Sequence, residues 1–146
     1  MRALWDRLPV PAEHVATMAA ALVLLRLSPR RLPMALSAPG WPLAAAGVAL
    51  NVWALRSRGG GDLERPVDLV TNGAYAWSRN PMYVGWSLVH LGVGMGTRTP
   101  WVVATWPIAA VLTHGQILRE EQLLAARFTD TFTTYLDDVP RYARAP

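Results

Sequence analysis

Four apolar segments alternate with polar stretches along the chain, and arginines or prolines bound each of them. They cover roughly Ala12–Leu27, Trp41–Leu55, Pro81–Gly96 and Pro100–Leu118. As helices rising about 1.5 Å per residue, the shorter segments reach only ~24 Å, which is less than a ~30 Å hydrocarbon core, so flanking residues must be drawn in or the bilayer thinned. The pattern predicts an all-α polytopic membrane protein with about four transmembrane helices and a further carboxy-terminal helix at the cytoplasmic face.

Aromatic and basic residues at the segment ends support this arrangement and orient it. Four tryptophans lie at or just outside the ends, where an amphipathic ring prefers the boundary between water and lipid: Trp5, Trp41, Trp77 and Trp101. If the amino terminus is cytoplasmic, most arginines fall on the cytoplasmic side. The two long polar stretches, Ser57–Arg79 and Arg119–Pro146, then share that face, where two separated segments can form one site within a single domain of 146 residues.

Small residues and short connections predict how the helices pack. Gly85, Gly92 and Gly96 recur on one face of the third helix, which allows close approach of another helix. Only residues 96–99 separate the third and fourth helices, so we expect these two to be antiparallel neighbours.

Composition narrows the classes of function. The chain is 52% hydrophobic and only 16% charged, a balance that points away from an ordinary soluble domain. Its net charge of +4 is scattered over every polar segment, without the basic groove that nucleic acid requires, so we expect no nucleic-acid partner. The absence of cysteine excludes disulfides, cysteine nucleophiles and thiolate metal sites.

The last helical segment carries a carboxylate on its apolar face. When Thr113–Leu136 is projected as one straight helix, a single stripe contains His114, Ile117, Glu121, Leu124, Phe128, Phe132 and Tyr135. A carboxylate at Glu121 must be paired or hydrogen-bonded, because burying it alone costs several kcal/mol. Two interpretations stay open: an internal salt bridge to one of the arginines, or a pocket for a cationic ligand that the adjacent Glu120 helps to form.

His114 lies on the same stripe, about 10 Å before Glu121 along the helix axis. It is either an interhelical hydrogen-bonding group or part of a cofactor or substrate cavity, and the pattern slightly favours the second. His90 and Asn51, inside two other helices, are typical of interhelical hydrogen bonding. The three residues His90, His114 and Glu121 lack the spacing of helical metal ligands, so no metal site is predicted.

Two motifs make a resemblance specific. Residues 71–85 read T-N-G-A-Y-A-W-S-R-N-P-M-Y-V-G, which is similar to the T-x-G-P-Y-x-x-x-R-H-P-M-Y-x-G signature of the isoprenylcysteine carboxyl methyltransferase family. Residues 119–124, R-E-E-Q-L-L, followed by Phe128, Tyr135 and Val139-Pro140-Arg141, resemble that family's E-E-x-x-L…F…Y…V-P-R signature. Together the motifs cover about half of the chain. The chain therefore resembles the isoprenylcysteine carboxyl methyltransferase and phospholipid methyltransferase group, in particular its small bacterial members.

The resemblance implies that S-adenosylmethionine binds between two cofactor segments, about residues 69–85 and 114–141. The residues that it assigns to the cofactor are Gly73, Tyr75, Asn80, Pro81, Tyr83, Glu120 and Glu121. Asn80 stands where the family usually has His, and Ala74 where it usually has Pro. Asn80 can donate and accept hydrogen bonds but cannot take up or release a proton at neutral pH, as a histidine can. Gly73 is expected to adopt positive φ.

Methyl transfer from a sulfonium needs in-line placement and exclusion of water, and no metal or covalent intermediate. Arg79 and Arg141 are the residues expected to bind a carboxylate of the cofactor or of the acceptor, unless they neutralise Glu121. His114 becomes a candidate base if the acceptor is an amine that must lose a proton.

The implied function is methylation of a lipid-like or prenyl-bearing acceptor, with O-methylation of a carboxylate favoured, at the cytoplasmic face of a bacterial inner membrane. Its partners would be membrane lipid and a lipophilic or lipidated acceptor. The alternatives are a non-catalytic membrane protein of the same fold and a nicotinamide-dependent reductase, although no phosphate-cradling glycine motif is present.

Overall fold

The structure is a computed structural model that describes residues 11–58 and 69–143. Within these ranges the backbone is helical with no strand, which confirms the all-α prediction. In chain order the elements are α1 (Ala12–Leu27), a 3₁₀ turn (Met34–Leu36), α2 (Gly40–Arg58), α3 (Ala74–Trp77), α4 (Pro81–Gly96) and α5 (Pro100–Asp138). Trp5 and the glycine-rich, charged link at 59–68 lie outside the described residues.

α5 is much longer than the segment that hydropathy gives, and it reverses direction. The helix continues past Leu118 to Asp138, with non-helical backbone angles at Phe128 and Thr129. Val139 and Leu124 belong to one buried apolar cluster, although fifteen residues of straight helix would separate them by about 22 Å. The chain therefore folds back at Phe128–Thr129, and the expectation of one straight stripe over residues 113–136 is wrong beyond this point.

Burial of aromatic side chains explains the reversal. Phe132, Tyr135 and Val139 are almost fully buried, and Leu124 and Phe128 pack against them. Burying an aromatic side chain removes a large apolar area from water, so this cluster stabilises the returning half of the helix.

A seam of small residues joins α2 to α4. The spacing of the glycines predicts a close approach of another helix to this face, and the structure identifies that helix as α2. A Cβ on Gly47 would lie 2.5 Å from the carbonyl oxygen of Gly85, and a Cβ on Gly92 would lie 2.4 Å from the nitrogen of Ala44. The two backbones are thus in direct contact, and no other helix pair in the described ranges packs as extensively.

α1 runs antiparallel to α5. At one end the indole nitrogen of Trp101 donates to the carbonyl of Ser28 over 2.8 Å, and at the other the Gln116 amide donates to Glu13. α4 and α5 are also neighbours across their short connection, as expected.

Large apolar side chains on the outer surface fit a membrane protein. Leu22, Val48 and Val111 are 58%, 54% and 72% exposed, on α1, α2 and α5 respectively. Among the described helices, α5 alone is long and apolar enough to cross a membrane by itself. The number of four spans is not confirmed, because α1 and α4 have only 16 residues each.

Candidate functional site at the paired ends of α4 and α5

A glycine turn fixes the start of the first cofactor segment. Gly73 has φ 57°, as expected, and a Cβ there would lie 2.2 Å from the hydroxyl oxygen of Ser57. The same hydroxyl accepts a hydrogen bond from the nitrogen of Ala74 over 3.0 Å. The end of α2 therefore sets the position of α3, which carries Tyr75.

The part of α5 after the reversal, residues 129–138, also contacts Tyr75. The Tyr135 hydroxyl donates to the carbonyl oxygen of Tyr75 over 2.7 Å. Burial raises the pKa of the Tyr75 hydroxyl, and the nearby Arg58 guanidinium partly opposes this shift. Sequence reasoning did not select Arg58; its place at the carboxyl end of α2, where cations are favoured, is the signal that could have found it.

Residues 78–80 bind the backbone of the chain's later segment. The nitrogen of Arg79 donates to the carbonyl of Pro140 over 3.0 Å. The side chains of Asn80 and Ser78 donate to the carbonyl of Arg141 over 3.0 and 3.3 Å. Ser78 and Asn80 are both buried. Asn80 is thus a tie between the two motifs, and Pro81 begins α4 directly after it, where its missing N–H costs nothing.

Glu121 lies between two arginines. Its Oε1 is 3.3 Å from Nη1 of Arg79, and its Oε2 is 2.8 Å from Nη2 of Arg141. The Nε of Arg141 also donates to both carboxylate oxygens, over 3.1 and 3.2 Å. The salt-bridge interpretation of Glu121 therefore holds in this structure, and two cations against one anion leave the cluster with one excess positive charge.

The pKa shifts follow from this pairing, which lies beyond the apolar part of α5 that ends at Leu118. Burial alone would raise the pKa of the Glu121 carboxyl, but the hydrogen bonds from Arg141 and the charge of Arg79 hold it below its usual value. The hydrogen bonds to Glu121 raise the pKa of the Arg141 guanidinium in turn. Glu121 is therefore ionised at neutral pH.

Arg79 has donors to spare. Its side chain is only 11% exposed, and within the described ranges its buried Nε has no hydrogen-bond partner, while Nη1 has only the 3.3 Å ion pair with Glu121. Buried donors without acceptors are costly. An anionic oxygen from a ligand would satisfy them, and a carboxylate or phosphate has the geometry for it.

Glu120 points away from this cluster and is exposed. The Tyr83 hydroxyl donates to its Oε1 over 2.8 Å. One carboxylate of the adjacent pair is thus bound by two guanidinium groups, while the other accepts a hydrogen bond from a neutral hydroxyl and has the Arg58 guanidinium nearby.

His114 is placed beside the same segment but not beside the carboxylates. Its Nδ1 contacts the hydroxyl of Tyr142, the residue after Arg141. The sequence predicts that Glu121 and His114 share a surface of α5. In the structure two consecutive residues contact them, Arg141 at Glu121 and Tyr142 at His114. The predicted site residues from Gly73 to Arg141 are therefore assembled at one end of α4 and α5, with His114 at the margin.

Comparison with known proteins gives two findings. Residues 37–131, more than half of the chain, match the family model of phospholipid methyltransferases. Over 72 residues the chain is also 32% identical to the protein-S-isoprenylcysteine O-methyltransferase of Tribolium castaneum. That match covers 49% of this chain and 26% of the beetle protein, so the chain corresponds to about a quarter of this relative.

Proposed function

The chain belongs to the phospholipid methyltransferase family, and from this membership we propose that it transfers a methyl group from S-adenosylmethionine to a lipid-like or prenyl-bearing acceptor. The observation that carries the proposal is the meeting of the two motifs. Arg79 of the first and Arg141 of the second bind the same carboxylate, Glu121, and the adjacent Glu120 binds Tyr83.

The cofactor would lie between residues 73–83 and the charged turn of α5, which is formed by residues 119–122. Glu120 is the carboxylate suited to its amino group or ribose hydroxyls, since the charge of Glu121 is already compensated. Tyr75 and Tyr83 flank that position, and backbone groups near Gly73 and Pro81 bind its polar parts. Asn80 contributes by keeping the two segments together through the carbonyl of Arg141.

The positive excess at Arg79 and Arg141 favours a carboxylate acceptor. A carboxylate is ionised at neutral pH and attacks a sulfonium methyl group without a base, so the protein has only to orient it and exclude water. The buried Nε of Arg79, which has no partner in the described part of the chain, would supply that orientation. A carboxylate of the cofactor itself would fit the same donor.

In the membrane, α1, α2, α4 and residues 100–118 of α5 would lie in or close to the hydrocarbon region. With the amino terminus in the cytoplasm, the arginine distribution supports a site at the cytoplasmic face, and the resemblance to small bacterial members supports the inner membrane. A lipid-borne acceptor reaches such a site without leaving the bilayer.

Two measurements test the proposal on the detergent-purified protein. Calorimetry with S-adenosylhomocysteine measures cofactor binding, and incubation with methyl-labelled S-adenosylmethionine and a membrane lipid extract identifies the product by mass spectrometry. We expect binding and a base-labile methyl ester. Absence of both would contradict the proposal and favour a non-catalytic protein, and binding of a nicotinamide cofactor instead would favour a reductase.

A further inference from the structure

A second cluster of polar side chains lies where the beginning of α1 meets α5. Three of its buried polar atoms have no hydrogen-bond partner among residues 11–58 and 69–143: Oε2 of Glu13, Nε2 of His14 and Oγ1 of Thr113. His14 is 1% exposed and Thr113 is 4% exposed. Neither motif contains any of these residues. Glu13 and His14 are consecutive on α1, and Gln116, which binds Glu13, is three residues after Thr113 on α5, so the three residues share one helix contact. Because unpartnered buried polar groups are rare, three of them at one helix contact point to a ligand.

The hydrogen bonds of a histidine pair show what His14 offers. Nε2 of His90 is 2.8 Å from the carbonyl oxygen of Val102, which can only accept, so this nitrogen carries a proton. In a neutral ring Nδ1 of His90 then accepts, and it does so from Nδ1 of His14, 3.0 Å away. Nε2 of His14 consequently carries no proton, and its lone pair can accept a hydrogen bond in a buried position.

Glu13 offers a second acceptor beside it. Gln116 donates to its Oε1, which leaves Oε2 as a buried anionic oxygen. Thr113 and Gln116 are three residues apart on α5, and Gln116 and Glu120 are four apart, so all three lie on one face of the helix. Gln116, the partner of Glu13, is thus one helical turn, about 6 Å, from Glu120, which binds the Tyr83 hydroxyl.

The ligand chemistry follows from these atoms. An anionic oxygen and an imidazole lone pair both require donors, and the Thr113 hydroxyl can accept as well as donate. A positively charged group with several N–H bonds satisfies all three at once. We propose that Glu13, His14 and Thr113 bind a primary ammonium group. The inference rests on the proposed function, and the ammonium has two possible sources: the amino group of the cofactor, or the amine of a headgroup of the surrounding membrane lipid.

Glu13→Gln tests the site because it removes the charge while keeping an acceptor for Gln116. Asp137→Asn is the matched control, since it neutralises an exposed acid on the last turn of α5. Thr113→Val, of nearly the same shape, removes only the hydroxyl. Circular dichroism and gel filtration in detergent establish that each variant retains the helical fold.

Two binding experiments distinguish the cofactor from a lipid headgroup as the source of the ammonium group. Calorimetry compares S-adenosylhomocysteine with methylthioadenosine, which has the same nucleoside but no ammonium. Native mass spectrometry compares retention of phosphatidylethanolamine with that of phosphatidylglycerol. If the cofactor supplies the ammonium, Glu13→Gln weakens S-adenosylhomocysteine binding about tenfold and leaves methylthioadenosine unchanged. If a lipid supplies it, the variant loses its preference for phosphatidylethanolamine.

Thr113→Val should weaken binding of the same ligand as Glu13→Gln does. Asp137→Asn should leave the binding of the cofactor analogues and of both lipids unchanged. The site is disproved if Glu13→Gln matches the unmodified protein and Asp137→Asn in both experiments. If all proteins still bind S-adenosylhomocysteine in that case, the site is disproved but the proposed function is not. If the unmodified protein binds neither cofactor analogue, the proposed function is disproved, and the comparison of the two lipids alone decides the site.

Discussion

Arg141 and Glu121 are twenty positions apart in the chain, and their side chains form a two-point ion pair in which Nη2 lies 2.8 Å from Oε2 and Nε lies 3.1 Å from Oε1. Arg79 reaches the same carboxylate from the start of α4. Glu121 is thus the point at which three segments of the chain are joined: residues 78–80, the charged turn of α5, and the returning segment that ends with Arg141.

The contribution of this joint to stability should depend on pH. At neutral pH Glu121→Gln is expected to lower the free energy of unfolding by about 1–2 kcal/mol, because it removes a charge that two guanidinium groups bind, one of them partly exposed. Since the pairing lowers the pKa of the Glu121 carboxyl, the contribution is full above the unfolded pKa of about 4.3 and is lost as the pH falls through the folded value.

The measurement is the difference in melting temperature between the two proteins in detergent, followed from pH 7 to pH 3. It should be constant down to about pH 4.3 and then shrink, because a protonated Glu121 resembles glutamine. A difference that grows on acidification would show that the carboxylate is not stabilised by its partners.

Asn80 is expected to act through the backbone of Arg141. Asn80→Ala removes the donor to a partly buried carbonyl and should cost about 1 kcal/mol. Asn80→Asp should cost more, because it places a carboxylate against that carbonyl oxygen. Chemical denaturation in detergent measures both. Asn72→Ala, at an exposed position in the same segment, serves as the control, and an equal loss there would remove the specific role of Asn80.

The seam between α2 and α4 gives a prediction with a built-in control. Gly47→Ala should destabilise the bundle by about 2 kcal/mol or more, since the new methyl group meets the carbonyl oxygen of Gly85 and the helices must separate. Gly115→Ala should be neutral or stabilising by up to about 1 kcal/mol, because nothing lies within 4 Å of its Cβ and alanine favours a helix. Thermal melting compares them, and equal losses would contradict the close contact.

Cofactor affinity should depend on Glu120 more than on Glu121. Glu120→Gln is expected to weaken S-adenosylhomocysteine binding about tenfold, and Tyr83→Phe less, because it removes only the hydroxyl that holds the carboxylate. Arg119→Gln, at the neighbouring exposed position, is the control. If Glu121→Gln weakens binding more than Glu120→Gln does, Glu121 contacts the cofactor despite its two arginines.

Local signals in the sequence account for the parts that could be predicted. Pro81 and Gly96 mark the limits of α4, the glycine spacing indicates a close contact with another helix, and the turn at Gly73 requires a residue without a side chain. Each of these features is determined by backbone sterics within a few residues, which is the range over which sequence patterns are informative.

The rest depends on contacts between distant segments. No glycine or proline marks the reversal at Phe128–Thr129, which follows from burial of Phe132 and Tyr135 against the first half of the helix. The choice of Arg79 and Arg141 among all the arginines as partners of Glu121 follows from that reversal. Asn80 matches its motif by position, but its partner is a backbone carbonyl, which carries no sequence signal.

The reversal at Phe128–Thr129 also sets the order in which the site can be built. α4 and α5 are joined by three residues and can pair as soon as both have formed, whereas the contact of Asn80 with Arg141 closes a loop of 61 residues. We therefore expect the docking of Val139–Tyr142 to follow the pairing of α4 with α5. The backbone amide of Arg79 donates to the carbonyl of Pro140. In a hydrogen-exchange experiment this amide should exchange faster than the backbone amides at the seam between α2 and α4.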